Sequence, residues 1–328
     1  MSAREKTASA VRDADYAYAV ARIRANEVKL LTRQDLDGLL LSGSAEQCMS
    51  RLSDKGWGSN ARGGVGTEGE LLGAEYDRMW ELIKELAPDM DVFRFITVKN
   101  DYHNLKAALK ARLAVTDWEH MRITPCDVSA EDMTKAVSEK QFDLLPGDMA
   151  EAADEAYDAL VTWVDGQMCE MILDRAALNA SLKEGRKQGG LAEKLAMLDV
   201  FAADIRIAYR SAMMKKSPAS VRRSLAEYPG IDINQMSLRA AEGVGALKEY
   251  IADMDRDATE ALEKGLGQFE KLVGMRRDKL LEQHKYDTLG PAPLITYIIR
   301  RESEIAGVRL ILAGLRNGVD PERIRAML

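Results

Sequence analysis

The chain has 328 residues, enough for one to three domains, and 46% of them are hydrophobic while 30% are charged. Its net charge of −7 and pI of about 5.3 argue against nonspecific binding of nucleic acid or anionic lipid, although an average does not exclude a local basic patch. Three widely separated cysteines, Cys48, Cys126 and Cys169, form no CxxC pair, which is typical of a reducing compartment.

The sequence predicts helices from end to end. Five Phe and eight Pro, against many Ala, Leu, Met, Glu, Lys and Arg, favour helix over sheet, and no window alternates as a strand does. The apolar periodicity predicts long helices at 5–31, 68–86, 90–113, 149–184, 190–214, 244–285 and 292–316. Shorter helices are predicted at 33–41, 44–53, 129–139, 218–226 and 320–327. The predicted fold class is all-α.

N-cap signals support several of these helix starts. Thr67 and Glu70 form a capping box, in which each side chain can bond the other residue's backbone amide. Acidic versions of this arrangement occur at Asp148 with Glu151 and at Asp232 with Gln235, and a capping residue precedes proline at Ser217-Pro218 and Asp320-Pro321. Residues 1–14 lack the apolar segment of a signal peptide, and no window approaches roughly eighteen uncharged apolar residues, so we expect no membrane span.

The usual catalytic and metal-binding motifs are not found in the sequence. The Gly-rich stretch Gly56–Gly73 lacks the Lys-Ser or Lys-Thr of a phosphate-binding loop, and we interpret it as a loop between helices. The segment 253–257 alternates carboxylates as a calcium loop does, but Ala258 and Lys264 replace the required Gly and Glu, so we interpret it as a solvated helix face. The three histidines are not spaced to share a metal ion. We therefore expect no catalytic residues, no cofactor and no metal.

One segment occurs three times, at Phe95–Leu109, Leu195–Tyr209 and Ile298–Leu312. Its matched apolar positions fall on one face of a helix. A cation follows the third of these positions every time, as Lys106, Arg206 and Arg309. The repeat predicts a pseudo-threefold helical body rather than an enzyme with one pocket, although buried helices can share such a period by chance.

Several stretches resemble one protein family. Asn100-Asp-Tyr-His-Asn-Leu-Lys-Ala107, followed by Ala108-Leu-Lys-Ala111, is similar to the first-repeat signature of the C subunit of prokaryotic V-type (A/V-type) ATPases, the family that includes the d subunit of eukaryotic V-ATPases. The family's C-terminal signature is matched by Gly290–Leu294, Tyr297, Arg301–Ile305, Arg309–Gly314 and Gly318–Glu322. Tyr18–Arg24, Leu30, Leu31 and Lys55–Trp57 also fit, so the resemblance covers the chain in order, while 115–190 adds little.

The resemblance implies a single all-helical body of residues 1–328, with three similar lobes in a pseudo-threefold arrangement that forms a funnel-shaped socket. Internal repeats are expected around 90–140, 190–242 and 291–328, with the N-terminal helices of 1–60 completing the body. The same resemblance implies a non-catalytic, peripheral coupling subunit on the cytoplasmic side of the membrane. It would link the central stalk to the membrane proteolipid ring and transmit torque for ATP-driven ion transport or ATP synthesis, with no cofactor and no nucleic acid.

Two other classes of function stay open at this point. The first alternative is a helical scaffold or adaptor unrelated to ATPases, which would explain the repeats and the missing motifs. The second is a helical enzyme whose site is assembled from scattered Glu, Arg and Tyr residues. It ranks last, because nothing in the sequence nominates a nucleophile, a base or a metal.

Seven charged residues are candidates for contacts with the stalk or with the interior: Arg22, Arg24, Lys106, Arg206, Glu302, Glu304 and Arg309. The repeated cations Lys106, Arg206 and Arg309 are expected around a central opening, where they either bind carboxylates of the stalk or cap interior carbonyls and acids. The same two roles are open to Arg22 and Arg24. Asp101, Glu302 and Glu304 are expected to pair with them, and we favour the internal role. Leu36–Leu41 is a candidate for the ring-facing surface, although four leucines in six residues are more typical of a core.

Overall fold

The periodic segments become sixteen α-helices in the computed structural model, which describes residues 14–59 and 66–328. No strand occurs within these ranges, which confirms the all-α class. In chain order the helices are α1 (Ala17–Glu27), α2 (Arg33–Leu40), α3 (Ala45–Asp54), α4 (Glu68–Leu86), α5 (Arg94–Ala114), α6 (Ala130–Ser138), α7 (Gly147–Tyr157), α8 (Gly166–Gln188), α9 (Gly190–Met213), α10 (Pro218–Ser224), α11 (Ile233–Glu242), α12 (Val244–Met254), α13 (Arg256–Glu263), α14 (Leu266–Glu282), α15 (Ala292–Arg316) and α16 (Pro321–Met327).

The helices form two compact units. The first contains the described residues up to Met90 together with Gln283–Leu328, and thus α1–α4, α15 and α16. Its core lies where α15 packs against α2, α3 and α4, and Leu52, Leu71, Val308 and Ile311 are completely buried there. Full burial of such a side chain contributes roughly 1.5–3 kcal/mol to stability. The unit is therefore organised by its last long helix.

The second unit, Asp91–Glu282, contains α5–α14. Helix α8 packs against both α5 and α9, and Ser181 on α8 donates a hydrogen bond of 2.6 Å to the carbonyl of Phe95 on α5. On the α9 side, a Cβ placed on Gly185 would lie 2.7 Å from the Cβ of Ala196. Only glycine allows this close approach of the two helices.

The three repeated segments lie on α5, α9 and α15, and they bury the same positions. All twelve matched apolar residues are buried except Tyr209, which is partly buried: Phe95, Leu195 and Ile298; Tyr102, Ala202 and Ile305; Leu105, Ile205 and Val308; Leu109, Tyr209 and Leu312. The predicted apolar stripe is therefore the packed face of each helix.

The same three helices also end alike. Twenty residues after the first matched position the backbone is left-handed in each, with φ of 54° at Val115, 52° at Lys215 and 63° at Gly318. The amide of the next residue then donates back to the helix, as Thr116 N to Ala111 O at 3.0 Å, Lys216 N to Ser211 O at 3.1 Å, and Val319 N to Gly314 O at 2.9 Å. This is a Schellman-type cap. The pseudo-threefold arrangement of these helices, like the single body of 1–328, stays a prediction.

Several predicted caps are confirmed. Thr67 and Glu70 exchange the two hydrogen bonds of the capping box, and Asp232 accepts from the amides of Asn234 and Gln235. Ser217 and Asp320 cap α10 and α16 ahead of their prolines. The cap at Asp148 is wrong, because α7 begins at Gly147, two residues before the predicted start at 149, and Pro146 provides no side-chain cap.

Three of the long helices differ from prediction. The helix expected at 149–184 is interrupted at Trp163–Asp165, where Asp165 accepts from the amide of Met168 and starts α8. The helix expected at 244–285 is three helices, with breaks at Asp255 and Gly265. The described part of the helix expected at 5–31 ends at Glu27, and residues 5–13 lie outside the described residues. Helix α11 was absent from the predicted intervals, although Asp232 signals its start.

Asp255 shows that the solvated-face interpretation of 253–257 is wrong. Its carboxylate accepts from the amide of Ala258 at 3.0 Å and from Nη2 of Arg276 at 2.8 Å. Burial acts to raise the pKa of Asp255, but these hydrogen bonds outweigh it and the pKa is lowered. The aspartate is therefore an N-cap that joins two helices of the second unit, rather than a residue on a continuous helix surface.

Candidate functional site

The first unit contains a cleft of about 330 Å³ in which several of the segments that resemble the family meet. Its walls come from the turn after α1, the residues after α3, the middle of α4 and the first half of α15. Trp57, Tyr297 and Arg301, which are 4%, 6% and 7% exposed, line the deep end. We refer to this space as the α4/α15 cleft.

A buried guanidinium forms the floor of the α4/α15 cleft. Arg301 pairs through Nη2 with Oε2 of Glu75 and through Nη1 with Oε2 of Glu304. Its guanidinium carbon lies 4.7 Å from the centre of the Trp57 ring, a cation–π contact. Because Glu75 is on α4 whereas Arg301 and Glu304 are on α15, the cluster joins the two helices.

The second carboxylate oxygen of each glutamate accepts a hydrogen bond from a backbone amide. Gly58 donates its amide to Oε1 of Glu75 at 2.7 Å, and Leu31 donates its amide to Oε1 of Glu304 at 2.6 Å. Arg78 Nη1 lies 3.7 Å from Glu75, so two guanidiniums balance the two carboxylates. The cluster therefore fixes the turns after α1 and α3 while keeping its own charge near zero, the condition under which buried ions are tolerated.

Burial changes the titration of this region. It raises the pKa of Glu304, and Arg301 together with the Leu31 amide offsets only part of that effect. Burial also raises the pKa of Tyr297. At the rim, Lys55 binds Asp35, which lies outside the cleft, and hydrogen bonds from Lys55 and Thr32 lower the pKa of Asp35 to about 2. The floor is thus desolvated, whereas the rim carries solvated charges.

The charged cluster of the α4/α15 cleft is a structural clamp, that is, a set of ion pairs and hydrogen bonds that holds chain segments together. Both buried carboxylates are fully engaged, and Arg301 is shared between them, so neither acid is placed to take a proton from a ligand. Within residues 14–59 and 66–328, no group of three metal-binding side chains comes together. The cluster fixes the four chain segments that form the cleft relative to one another. The side chains at the rim of the cleft are left for contacts with another molecule.

Two of the sequence-predicted residues lie on α1, in the first unit. Arg24 donates from Nη2 to the carbonyls of His284 and Asp287, at 3.1 and 3.3 Å, and pairs with Glu27 at 2.8 Å. Arg22 is exposed, bonds Tyr18 Oη at 2.9 Å and lies 4.0 Å from Glu85. Arg24 thus caps interior carbonyls, and Arg22 stays at the surface.

The three repeated cations meet different surroundings. Lys106 pairs with Asp174 on α8, and Arg206 makes a bidentate pair with Glu270 on α14, at 2.6 and 3.0 Å. Arg309 is exposed and forms no ion pair with any residue that the structure describes. Equivalent positions in the repeat therefore have internal partners in the second unit, whereas the cation in the first unit has none among the described residues.

The expected pairing of nearby acids with these cations is wrong for two of the acids. Asp101 instead accepts from the amides of Asp127 and Val128, both at 2.9 Å, and Glu304 pairs with Arg301 rather than Arg309. Glu302 is partly exposed on α15. In Leu36–Leu41, Leu39 and Leu40 are buried, whereas Leu41 is 68% exposed.

Sequence reasoning missed Glu75 as a site residue and did not assign Arg301 a role. A signal existed, because both are charged residues on apolar stripes. Glu75 follows Leu71 and precedes Met79 at four-residue spacing, and Arg301 lies between Ile298 and Ile305. Acids and arginines are rarely fully buried unless paired, so two such residues predict one another.

None of the described helices has both the length and the apolar character that a membrane-spanning segment requires. The family model described as ATP synthase (C/AC39) subunit matches residues 19–327. The C subunit of the V-type sodium ATPase of Enterococcus hirae is 20% identical over 92% of this chain and 94% of its own length. The C subunit of the A-type ATP synthase is 25% identical in Desulfurococcus sp. (strain SY), covering 95% and 90%, and 24% identical in Methanocaldococcus jannaschii, covering 96% and 86%.

Proposed function

Because the chain belongs to the ATP synthase (C/AC39) subunit family, we propose that it is a non-catalytic coupling subunit of a rotary V- or A-type ATPase. In this role it links the central stalk to the membrane proteolipid ring, on the cytoplasmic side of the membrane, and transmits torque between them. Family membership is incompatible with a scaffold unrelated to ATPases. The observation that carries the proposal is the match over nearly the whole chain and nearly the whole length of the relatives.

The packing of both units supports a mechanical role. A part that transmits torque must resist shear, and closely packed helices do so because their side chains leave little free volume. Helices α8 and α9 approach so closely at Gly185 that no Cβ fits there, and the Glu75–Arg301–Glu304 cluster joins α4 to α15. Both are rigid, internally satisfied contacts.

Among the repeated cations, we assign the stalk contact to Arg309. Lys106 and Arg206 already neutralise acids of their own unit, so a partner would have to compete with those pairs. Arg309 offers an exposed guanidinium with no internal partner among the described residues. Guanidinium groups bind carboxylates in a bidentate manner, so an acidic residue of the stalk is the expected partner.

Binding of the purified chain to a purified central-stalk complex tests this function, using size exclusion and calorimetry. We expect a one-to-one complex and no ATP turnover by the chain alone. Arg309→Ala should weaken binding by about threefold to tenfold, with unchanged thermal unfolding, as is usual for an exposed interfacial charge.

Arg323→Ala is the matched control, because Arg323 is also an exposed arginine of the first unit without an ion pair in the described part of the chain. No association with the cognate stalk, from folded and monodisperse chain, would refute the coupling role. Equal losses of stalk affinity for Arg309→Ala and Arg323→Ala would refute only the assignment of the stalk contact to Arg309.

A further inference from the structure

One part of this acidic chain is strongly basic. Residues 205–226 contain no Asp or Glu and six cations: Arg206, Arg210, Lys215, Lys216, Arg222 and Arg223. The net charge of the whole chain is −7. The segment covers the C-terminal half of α9, its cap and all of α10, so the cations are concentrated at one end of the second unit.

Most of these cations form no ion pair with another residue that the structure describes. Arg206 pairs with Glu270, but the other five form no ion pair within the described residues. Elsewhere in the same unit, Lys99 and Arg277 both pair with Asp199, at 2.7 and 2.9 Å. The unit therefore neutralises some of its cations internally, whereas the five cations that follow Arg206 form no such pair within the described residues.

Apolar side chains are exposed among these charges. Met213 and Met214, the last residue of α9 and its C-cap, are 64% and 69% exposed. Arg223 Nη1 lies 3.9 Å from Sδ of Met168 in the first turn of α8. The turn just before α8 carries Trp163 and Val164, which are 62% and 75% exposed, so it lies at the same end of the unit.

The fold does not require lysine in this cap. Lys215 has the left-handed backbone that Gly318 adopts at the matched position of α15, and glycine is the residue best suited to it. The following residue is Lys216 here, but Thr116 and Val319 in the other two repeats. The helix dipole accounts for a cation in the last turn, such as Arg210, but not for the two lysines beyond it.

We propose that the basic–methionine patch, formed by Met213, Met214, Lys215, Lys216, Arg222 and Arg223, docks on anionic phospholipid headgroups. Such a surface is negatively charged outside and apolar just beneath, which matches unpaired cations around flexible exposed methionines. Nucleic acid would satisfy the cations but would give no role to two exposed apolar side chains. The proposal goes beyond the coupling function, whose partners are proteins of the ATPase.

Flotation of the full chain with vesicles tests the patch, using phosphatidylcholine with and without phosphatidylglycerol. We expect binding only to the anionic vesicles, and weaker binding as salt is raised. The variant Lys215→Gln/Lys216→Gln/Arg222→Gln/Arg223→Gln should lose about tenfold or more in affinity. Met213→Ser/Met214→Ser, which changes no charge, should lose about threefold.

The matched control is Arg256→Gln/Lys264→Gln/Lys271→Gln/Lys279→Gln. It removes the same charge from four exposed residues of the second unit that have no ion pair among the described residues, and it should bind as the unaltered chain does. Circular dichroism verifies that each variant is folded.

Absence of binding to anionic vesicles, or equal binding by the patch variant and the control variant, would overturn the proposal. Unchanged vesicle binding by the methionine variant, together with equally tight binding of a single-stranded DNA oligonucleotide, would assign the patch to polyanions in general instead. Neither stalk nor ring is present in this assay, so its failure leaves the coupling function untouched.

Discussion

Helices α15 and α9 carry the same repeated pattern, yet they bury a carboxylate in opposite ways. On α15, Glu304 holds the amide of Leu31 and is paired with Arg301. On α9, Asp204 is completely buried and holds the amide of Ala226 at 2.9 Å, but no cation pairs with it and its Oδ2 has no hydrogen-bond partner in the described structure. Both acids fix a loop outside their own helix, 273 residues away in sequence for Glu304 and 22 residues away for Asp204.

The difference shows two solutions to one electrostatic problem. A buried carboxylate is costly unless a cation, hydrogen-bond donors or a proton compensates its charge. The first unit uses Arg301, whereas in the second unit burial raises the pKa of Asp204 to about 7. Asp101 on α5 is intermediate, because burial raises its pKa to about 6 while the amide of Val128 opposes the change. The two acids without a paired cation therefore titrate close to neutral pH, whereas Glu304 shares its buried position with the Arg301 guanidinium.

The largest effect on stability is expected when Arg301 is removed from the buried cluster of the first unit. Arg301→Met keeps the volume but leaves Glu75 and Glu304 buried without their guanidinium, so the free energy of unfolding should fall by about 3–5 kcal/mol. Urea unfolding followed by circular dichroism measures the loss. Arg309→Met on the same helix, which removes an exposed charge, should change it by less than about 0.5 kcal/mol.

A triple variant separates lost charge balance from lost packing. Glu75→Gln/Arg301→Met/Glu304→Gln removes all three charges, and it should recover much of the stability that Arg301→Met loses. A loss below about 1 kcal/mol for Arg301→Met would mean that the two glutamates take up protons or water at little cost, contrary to the clamp described above.

Neutralising the lone acid tests the second region. The pKa of Asp204 is about 7 in the folded chain and about 3.9 when unfolded, so between these values the folded state keeps a proton that the unfolded state has lost. Its contribution is therefore present below about pH 4 and is lost as the pH rises to about 7. Asp204→Asn, which keeps the acceptor, should be more stable than the unaltered chain by roughly 2–4 kcal/mol at about pH 8, with no difference near pH 4.

Asp199 provides a control, because its pKa is shifted in the opposite direction to that of Asp204 and its replacement should change stability with the opposite sign. Burial acts to raise its pKa, but Lys99 and Arg277 outweigh it and the pKa is lowered. Asp199→Asn should therefore destabilise the chain at neutral pH and less so in acid. If Asp204→Asn were also destabilising at about pH 8, the carboxylate would be ionised and satisfied in the folded chain, and the contrast between the two regions would disappear.

The helical class could be predicted because it rests on local rules. Apolar periodicity and residues such as Thr67, Ser217 and Asp320 act within one or two turns, and the structure confirms them. The break at Asp255 could not be predicted in this way, because neither Pro nor Gly marks it. Its carboxylate is fixed by Arg276, twenty-one residues later, and such tertiary contacts override local preference.

The candidate site was even less accessible from the sequence. Glu75 and Arg301 are separated by 226 residues, and no periodicity relates residues at that distance. The repeat correctly located the buried stripes but could not assign partners to its cations. Lys106 and Arg206 form ion pairs with acids on neighbouring helices, and those acids are not part of the repeated pattern.

The smallest expected effect concerns the repeated cations themselves. Arg206 and Glu270 are only partly buried, with side chains 34% and 44% exposed, so water and salt screen their attraction. A double-mutant cycle with Arg206→Ala and Glu270→Ala should give a coupling energy of about 0.5–1 kcal/mol, at the upper end for a surface pair because the contact is bidentate. The coupling should decrease as salt is raised. A coupling above about 2 kcal/mol would mean that this pair behaves like the buried cluster of the first unit. Exposure, rather than position in the repeat, should therefore decide what each charge contributes.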